Sequence, residues 1–99
     1  MYGEHLLRNY WLLHDLGLVR CKRDFSRRWL GRGETYLMDY EFRDRGWRRV
    51  NSVTTARLRE NLLGVAARVP RHVAAEIKRI LTMIDRDEQV AAMMAAWGR

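Results

Sequence analysis

The sequence predicts an all-α, five- or six-helix protein that forms a single domain over residues 1–99. Apolar residues recur at steps of three and four along most of the chain, which is the spacing of one helical face. Glycine or proline stands at the ends of these apolar stripes, where helices commonly stop. No segment shows the strict alternation that indicates a half-buried strand, and no internal repeat or flexible linker divides the chain.

Three helices are predicted in the first half of the chain, each followed by a glycine or a loop. Their predicted limits are about residues 3–16, 22–30 and 33–43. Phe25 and Trp29 are four residues apart and therefore share one face of the second helix. Leu37 and Tyr40 anchor the third helix, and Tyr36 is expected to pack against Tyr40. A loop rich in arginine should follow over residues 44–51.

Two or three further helices are predicted after residue 51. Their apolar stripes are Thr55, Leu58, Leu62, Val65 and Val69, followed by Val73, Ile77, Ile80 and Ile84. Ser52 is the predicted amino-terminal cap of the fourth helix, because its hydroxyl can accept a hydrogen bond from an unpaired backbone N–H. Pro70 ends that helix and suits the first turn of the next one.

The carboxy-terminal helices are predicted over residues 70–97. Their stripe breaks across residues 85–88, which predicts a kink or short turn near Asp85 and a last helix from about Asp87. One long helix is the alternative. The last apolar residues are Val90, Met93, Met94 and Trp97. They predict either a core shared with Trp11 or an exposed patch through which the carboxy-terminal helices form a homodimer.

The composition excludes several classes of protein. It is globular, with 47% hydrophobic and 31% charged residues. The longest uncharged run, residues 89–98, is about half of what a membrane-spanning helix needs. Since the amino terminus lacks the pattern of a secretory signal, a cytoplasmic location is expected. A single cysteine, Cys21, predicts neither an internal disulfide nor a structural zinc site.

No constellation of residues indicates catalysis. Paired acids and bases, an activated nucleophile, a metal-ligand cluster and a phosphate-binding glycine loop are all missing from the sequence pattern. We therefore predict a protein that is not an enzyme and that has no catalytic residues, no metal and no cofactor.

The distribution of positive charge gives the main functional indication. The chain has 19 basic and 12 acidic residues, a formal net charge of +7, and 17 of the basic residues are arginine. Residues 20–49 contain ten basic and five acidic residues, so that this segment carries +5 of the total. A localised basic segment is typical of proteins that bind a phosphate backbone, and arginine binds phosphate in bidentate geometry. A GC-rich genome is the alternative explanation for the excess of arginine.

The order of elements in this segment resembles a helix-turn-helix. Residues 22–44 run from a helix with an apolar face through the turn glycine Gly31 to a second helix. In that motif the second helix enters the major groove of DNA and the first lies across the backbone. Ser26 precedes Gly31 by five positions rather than the usual four, so the turn should have a changed angle or register.

The same segment also resembles an uncharacterised family of small bacterial proteins. The shared residues are a phenylalanine–serine pair, a tryptophan–leucine–glycine triplet and a following tyrosine, here Phe25, Ser26, Trp29, Leu30, Gly31 and Tyr36. The resemblance covers about residues 16–45. It supports the helical layout and implies no established activity.

Ten residues of the basic segment are candidates for nucleic-acid contact. The candidates for phosphate contact are Arg23, Arg27, Arg28, Arg32, Arg45, Arg48 and Arg49, and those for base contact are Thr35, Met38 and Asp39. The alternative is a solvated surface whose arginines form salt bridges with Asp24, Glu34 or Asp44. Trp47 is expected either to cover the core or to stack on a base.

These observations predict a nucleic-acid-binding protein, with double-stranded DNA expected before RNA, that acts as a small transcriptional regulator of bacterial, plasmid or phage origin. The third helix carries Glu34, Asp39 and Glu41, which repel phosphate, so the protein should hold a backbone without reading much sequence. The alternative is a protein-interaction module, an adaptor or inhibitor that presents its basic face to an acidic partner.

Overall fold

Five helices account for most of the described chain. The computed structural model describes residues 1–43 and 45–97. The helices are α1 (Gly3–Asp15), α2, which starts as an α-helix at Lys22–Asp24 and continues as a π-helix over Phe25–Trp29, α3 (Tyr36–Phe42), α4 (Ser52–Ala66) and α5 (Arg71–Trp97). Extended structure in the described ranges is limited to an isolated bridge between Tyr2 and Arg49. The predicted all-α class is therefore confirmed.

The hydrophobic core lies where the five helices meet. The predicted stripes supply its fully buried side chains, among them Leu6, Leu13, Phe25, Leu37, Leu58, Leu62, Ile77 and Ile84. α4 and α5 form an antiparallel hairpin through the short connection at Pro70. Asn61 of α4 fastens α2 to this hairpin, because its amide nitrogen donates to the Trp29 carbonyl oxygen at 2.8 Å.

The junction of α2 and α3 accommodates the extra residue between Ser26 and Gly31 as a π-helix. The Leu30 N–H donates to the Phe25 carbonyl oxygen at 3.1 Å, a bond that spans five residues instead of four. Gly31 then turns the chain with a φ of 66°, which glycine adopts without a steric penalty. The Ser26 hydroxyl accepts from the Leu37 N–H at 3.1 Å and so ties α2 to α3.

The residues that carry the family resemblance serve this junction. Phe25 and Ser26 are fully buried, and Trp29 and Leu30 are nearly so. The Phe25 ring meets the Tyr10 ring of α1 edge to face, with centroids 5.6 Å apart. The shared pattern therefore describes how α2 packs and turns.

The boundaries of α3 and α4 correct two predictions. α3 does not begin at Gly33: residues 33–35 form a turn, and the Tyr36 N–H donates to the Gly33 carbonyl oxygen at 3.1 Å. Ser52 is the first residue of α4 and not its cap. Asn51 is the cap, because its side-chain oxygen accepts from the Val53 N–H at 2.8 Å. Asp44, where the predicted loop starts, lies outside the described residues.

α5 is one uninterrupted helix of 27 residues, so the predicted kink near Asp85 is wrong and the alternative is correct. The acidic residues that break the apolar stripe pair with neighbouring helices. Asp85 lies 2.8 Å from Arg59 of α4, and Asp87 lies 2.6 Å from Arg8 of α1. The buried stripe passes between them from Ile84 to Ala91, one heptad later.

Candidate nucleic-acid interface

The candidate contact residues are divided between separate regions of the surface. Arg23, Arg27 and Arg28 line a depression beside α2, which we call the α2 cleft; its other lining residues are Cys21, Asp24 and Glu34. Arg45, Arg48 and Asp39 line a second depression with Tyr36 and Tyr40, which we call the tyrosine cleft. The ten predicted residues therefore do not form one array.

The arginines of the α2 cleft have carboxylate partners. Arg28 Nε lies 3.1 Å from Asp24 Oδ1, and Arg27 Nη1 lies 3.4 Å from Glu34 Oε1. Both arginines are exposed, so each pair contributes at most about 1 kcal/mol to stability. The carboxylates nevertheless offset the positive charge that a phosphate would meet. The predicted alternative, salt bridges to Asp24 and Glu34, is confirmed for these two arginines.

The tyrosine cleft is a small cavity between α3 and the loop that follows it. Its volume is about 130 Å³. The Tyr36 and Tyr40 hydroxyls lie 3.2 Å apart, and their rings meet edge to face at 5.3 Å, which confirms the predicted packing of the two residues. Arg45 and Arg48 supply two guanidinium groups to the lining.

A third guanidinium belongs to the same region. The Arg32 guanidinium carbon lies 4.8 Å from the Tyr36 ring centroid, in cation–π geometry. Asp39 is the one carboxylate among the described lining residues, and its Oδ1 is itself 3.9 Å from Arg43 Nε. Among the described residues, the two lining arginines and the neighbouring Arg32 therefore stand against one carboxylate, which also pairs with Arg43.

The Tyr40 hydroxyl remains a neutral donor. Burial raises the pKa of Tyr40 well above its usual value, and the hydrogen bond with Tyr36 raises it further. Arg32 and Arg48 lower this pKa, but their effect is smaller. A neutral phenol can donate a hydrogen bond to an anion, so the cleft combines hydroxyl and guanidinium donors.

The first turn of α1 holds the loop that carries Arg45 and Arg48. The Gly3 N–H donates to the Arg48 carbonyl oxygen at 2.9 Å, and the Glu4 N–H donates to the Gly46 carbonyl oxygen at 2.8 Å. These N–H groups have no partner within the helix, so the loop satisfies them. A Cβ atom on Gly3 would collide with the Tyr40 ring and lie 3.0 Å from the Arg45 carbonyl oxygen.

The predicted base-contact residues do not form a basic face. Thr35 is exposed but precedes α3, Met38 is half-buried, and Asp39 is exposed near Arg43. Phe42, one turn after Met38, is 76% exposed. α3 has seven residues and is about 10 Å long. It presents a carboxylate and an aromatic ring beside the arginines of its flanking segments.

Arg49 lies away from both clefts. Its Nη2 is 3.8 Å from Glu88 Oε2 of α5, and it lines a depression on that helix with Arg86. The sequence pattern placed Arg49 beside Arg48 because the two are neighbours in the chain. Arg48 ends the turn that begins at Arg45, whereas Arg49 forms the isolated bridge with Tyr2, and the two side chains line different depressions.

Two features of the site lie outside the ten predicted contact residues. Trp47 is 69% exposed, so it does not cover the core, and its ring centroid is 5.6 Å from the Arg48 guanidinium carbon. Arg57 of α4 extends over the turn at Gly31, where its side chain lies 3.6 Å from the position of a Cβ atom. An arginine next to a tryptophan indicated the first feature; nothing in the sequence indicated the second.

These features define a small all-helical protein with an arginine- and tyrosine-lined cleft beside a short helix. The chain belongs to the family of unknown function DUF6626, whose model matches residues 6–94. The predicted resemblance to an uncharacterised family is thereby confirmed, and the match says nothing about DNA binding by a helix-turn-helix. Comparisons with curated proteins and with solved structures find no match.

Two further classes of site are absent from residues 1–43 and 45–97. Within these ranges no helix combines the length and the apolar character needed to cross a membrane. Over the same residues, no three histidine, cysteine or acidic side chains lie close enough together to hold a metal ion.

Proposed function

We propose that the protein binds nucleic acid through backbone phosphates at the tyrosine cleft. Arg45 and Arg48 line the cleft together with the two tyrosines, and Arg32 lies over the Tyr36 ring; this grouping of arginines carries the proposal. Among the described residues none of these three arginines forms an ion pair, whereas Arg27 and Arg28 of the α2 cleft do. A phosphate therefore meets less competition at the tyrosine cleft.

The donors of the cleft suit a phosphate group. Guanidinium groups donate in a planar fork that matches two phosphate oxygens, and the hydroxyl pair adds the one phenol proton that is not used between Tyr36 and Tyr40. The volume of about 130 Å³ equals that of about four water molecules at roughly 30 Å³ each. This is sufficient for a phosphate group, while the sugar and base of the nucleotide would remain outside.

The proposal assigns the α2 cleft a secondary role and α3 no base-reading role. Arg23 and Arg27 can contact a neighbouring stretch of backbone once Glu34 is displaced from Arg27. Asp39 repels phosphate, and the half-buried Met38 presents little surface to a groove. Binding without base contact is expected to be weakly dependent on sequence.

Salt dependence tests the proposal. A short mixed-sequence DNA should bind at about 50 mM salt and lose affinity as salt rises. The slope of log K against log salt should be about −2 to −3 for three neutralised phosphates, one at the tyrosine cleft and two at Arg23 and Arg27. Fluorescence anisotropy measures this slope. Absence of binding at about 50 mM salt, or a slope near zero, would exclude the backbone mechanism.

A second candidate function is interaction with an acidic protein partner, and the exposure of Phe42 favours it. Exposed aromatic residues beside arginines are typical of the energetic centre of protein interfaces. The two candidates differ in a purified sample: a nucleic-acid binder carries material that absorbs at 260 nm and is removed by salt. A stoichiometric protein partner with no such material would favour the second candidate.

The end of α5 supports a homodimer, as the sequence predicts. Residues 89–97 carry no charge, and residues 92–97 are all exposed, so no side of this end packs on the rest of the protein. Trp97 is 83% exposed, and it shares no core with Trp11, which is 48% exposed. A helix that is apolar on all sides is normally buried. A second copy offers an identical uncharged surface and leaves no charge unpaired.

Sedimentation velocity tests this arrangement. The wild-type protein should sediment as a dimer, and Met93→Glu combined with Trp97→Glu should give a monomer, because a charge cannot be buried in an apolar contact without a partner. Leu63→Glu on exposed α4 is the control and should remain dimeric. A monomeric wild-type protein, or a dimeric double variant, would contradict the proposal.

A further inference from the structure

An exposed tryptophan lies directly beside the tyrosine cleft. Trp47 and Arg48 are consecutive, and Arg48 lines the cleft while its guanidinium carbon lies 5.6 Å from the Trp47 ring centroid. A phosphate held by Arg48 therefore places its nucleotide next to the indole. The ring is 69% exposed, which is far more than an aromatic side chain used for packing needs.

The backbone on either side of Trp47 is fixed. Gly46 and Arg48 each accept a hydrogen bond from the first turn of α1, at 2.8 and 2.9 Å. The Arg48 N–H in turn donates to the Arg45 carbonyl oxygen at 3.0 Å. The backbone that carries the indole is therefore already ordered. Little conformational entropy of the backbone is lost when a ligand stacks on the ring.

We infer that the tyrosine cleft binds single-stranded nucleic acid, with a phosphate held by Arg45 and Arg48 and an adjacent base stacked on Trp47. The inference rests on the proposed function and narrows its ligand. Base faces are covered by their neighbours in a duplex and accessible in a single strand, and stacking on an aromatic ring beside a basic groove is how sequence-tolerant single-strand binding is achieved.

The shape of the surrounding surface agrees with this ligand. α3 is about 10 Å long and carries Asp39, so it lacks the length and charge of a helix that enters a major groove. Arg49 lies beside Glu88 of α5 and away from Arg48. The surface around the tyrosine cleft therefore has one arginine fewer for contact with the phosphates of a duplex. A flexible strand can follow a small cleft that a rigid duplex only touches.

Binding of oligothymidine and of a duplex of equal length tests the inference. The wild-type protein should bind the single strand more tightly than the duplex at equal salt. Trp47→Ala should weaken single-strand binding on the order of 10-fold and leave duplex binding unchanged, because only the single strand offers a base for stacking. Trp47→Phe retains an aromatic face and should recover most of the affinity.

Trp97→Ala is the matched control, since Trp97 is also highly exposed and lies at the far end of α5. It should not change the affinity for single-stranded DNA at protein concentrations where the oligomeric state is the same in both proteins. Tighter binding of the duplex, or equal effects of Trp47→Ala and Trp97→Ala, would overturn the inference while leaving backbone binding intact. No binding to either DNA would overturn the proposed function itself.

Discussion

Replacing Arg45 and Arg48 together by alanine is expected to weaken nucleic-acid binding on the order of 100-fold at low salt. Both guanidinium groups line the tyrosine cleft, and hydrogen bonds to charged groups contribute about 1.5–3 kcal/mol each. The slope of log K against log salt should also become shallower by about 1, since the one phosphate that both arginines hold is lost. Anisotropy titrations over a range of salt give both quantities.

The control for this variant removes the same charge from another surface. Arg71 and Arg86 are exposed on α5, and Arg71→Ala with Arg86→Ala lowers the net charge by the same two units. This control should change affinity much less than the cleft variant. Equal losses in the two variants would mean that net charge, and not the cleft, determines binding.

Gly3→Ala is expected to destabilise the fold by about 1–3 kcal/mol and to impair binding as well. The new methyl group would collide with the Tyr40 ring and press on the Arg45 carbonyl oxygen. The ring and the loop must move apart, which displaces one hydroxyl and one guanidinium of the cleft. Urea denaturation measures the loss of stability. Anisotropy titrations without urea, at a temperature where the variant is folded, measure the loss of binding affinity.

Gly64→Ala separates this steric effect from the general effect of replacing glycine. Gly64 lies inside α4, and its added methyl group would have only the end of the Arg68 side chain nearby, at 3.9 Å. This variant should be more stable by about 0.5–1 kcal/mol, because alanine is the better helix former. If Gly3→Ala were as stable as the wild-type protein, the Tyr40 ring could move aside without an energetic cost. This result would contradict the proposed link between packing at Gly3 and binding at the cleft.

The helices could be predicted because their signals are local. The stripes of α4 and α5 recur every three to four residues, and Gly17 and Gly31 both have positive φ at the turns where the sequence indicates them. Whether α5 runs on past Asp85 as one helix could not be judged from the stripe alone. Asp85 and Asp87 look like an interruption until Arg59 and Arg8 are seen opposite them.

The candidate site was only partly predictable, because its geometry depends on contacts between distant parts of the chain. The sequence identified Arg32, Arg45 and Arg48 as basic residues, and the spacing of Tyr36 and Tyr40 indicated that the rings pair. That these groups share one cleft follows from hydrogen bonds between the loop and Gly3, more than 40 residues earlier. No periodicity records such a contact.

The attachment of this loop has a consequence for how the surface can change. Among the described residues, the bonds that fasten it to α1 join main-chain atoms: the amides of Gly3 and Glu4, and the carbonyls of Gly46 and Arg48. Side chains at positions 45, 47 and 48 take no part in the fastening. These side chains can be substituted while the main-chain hydrogen bonds remain. The same loop can therefore bind a different ligand after substitutions that leave the fold unaltered.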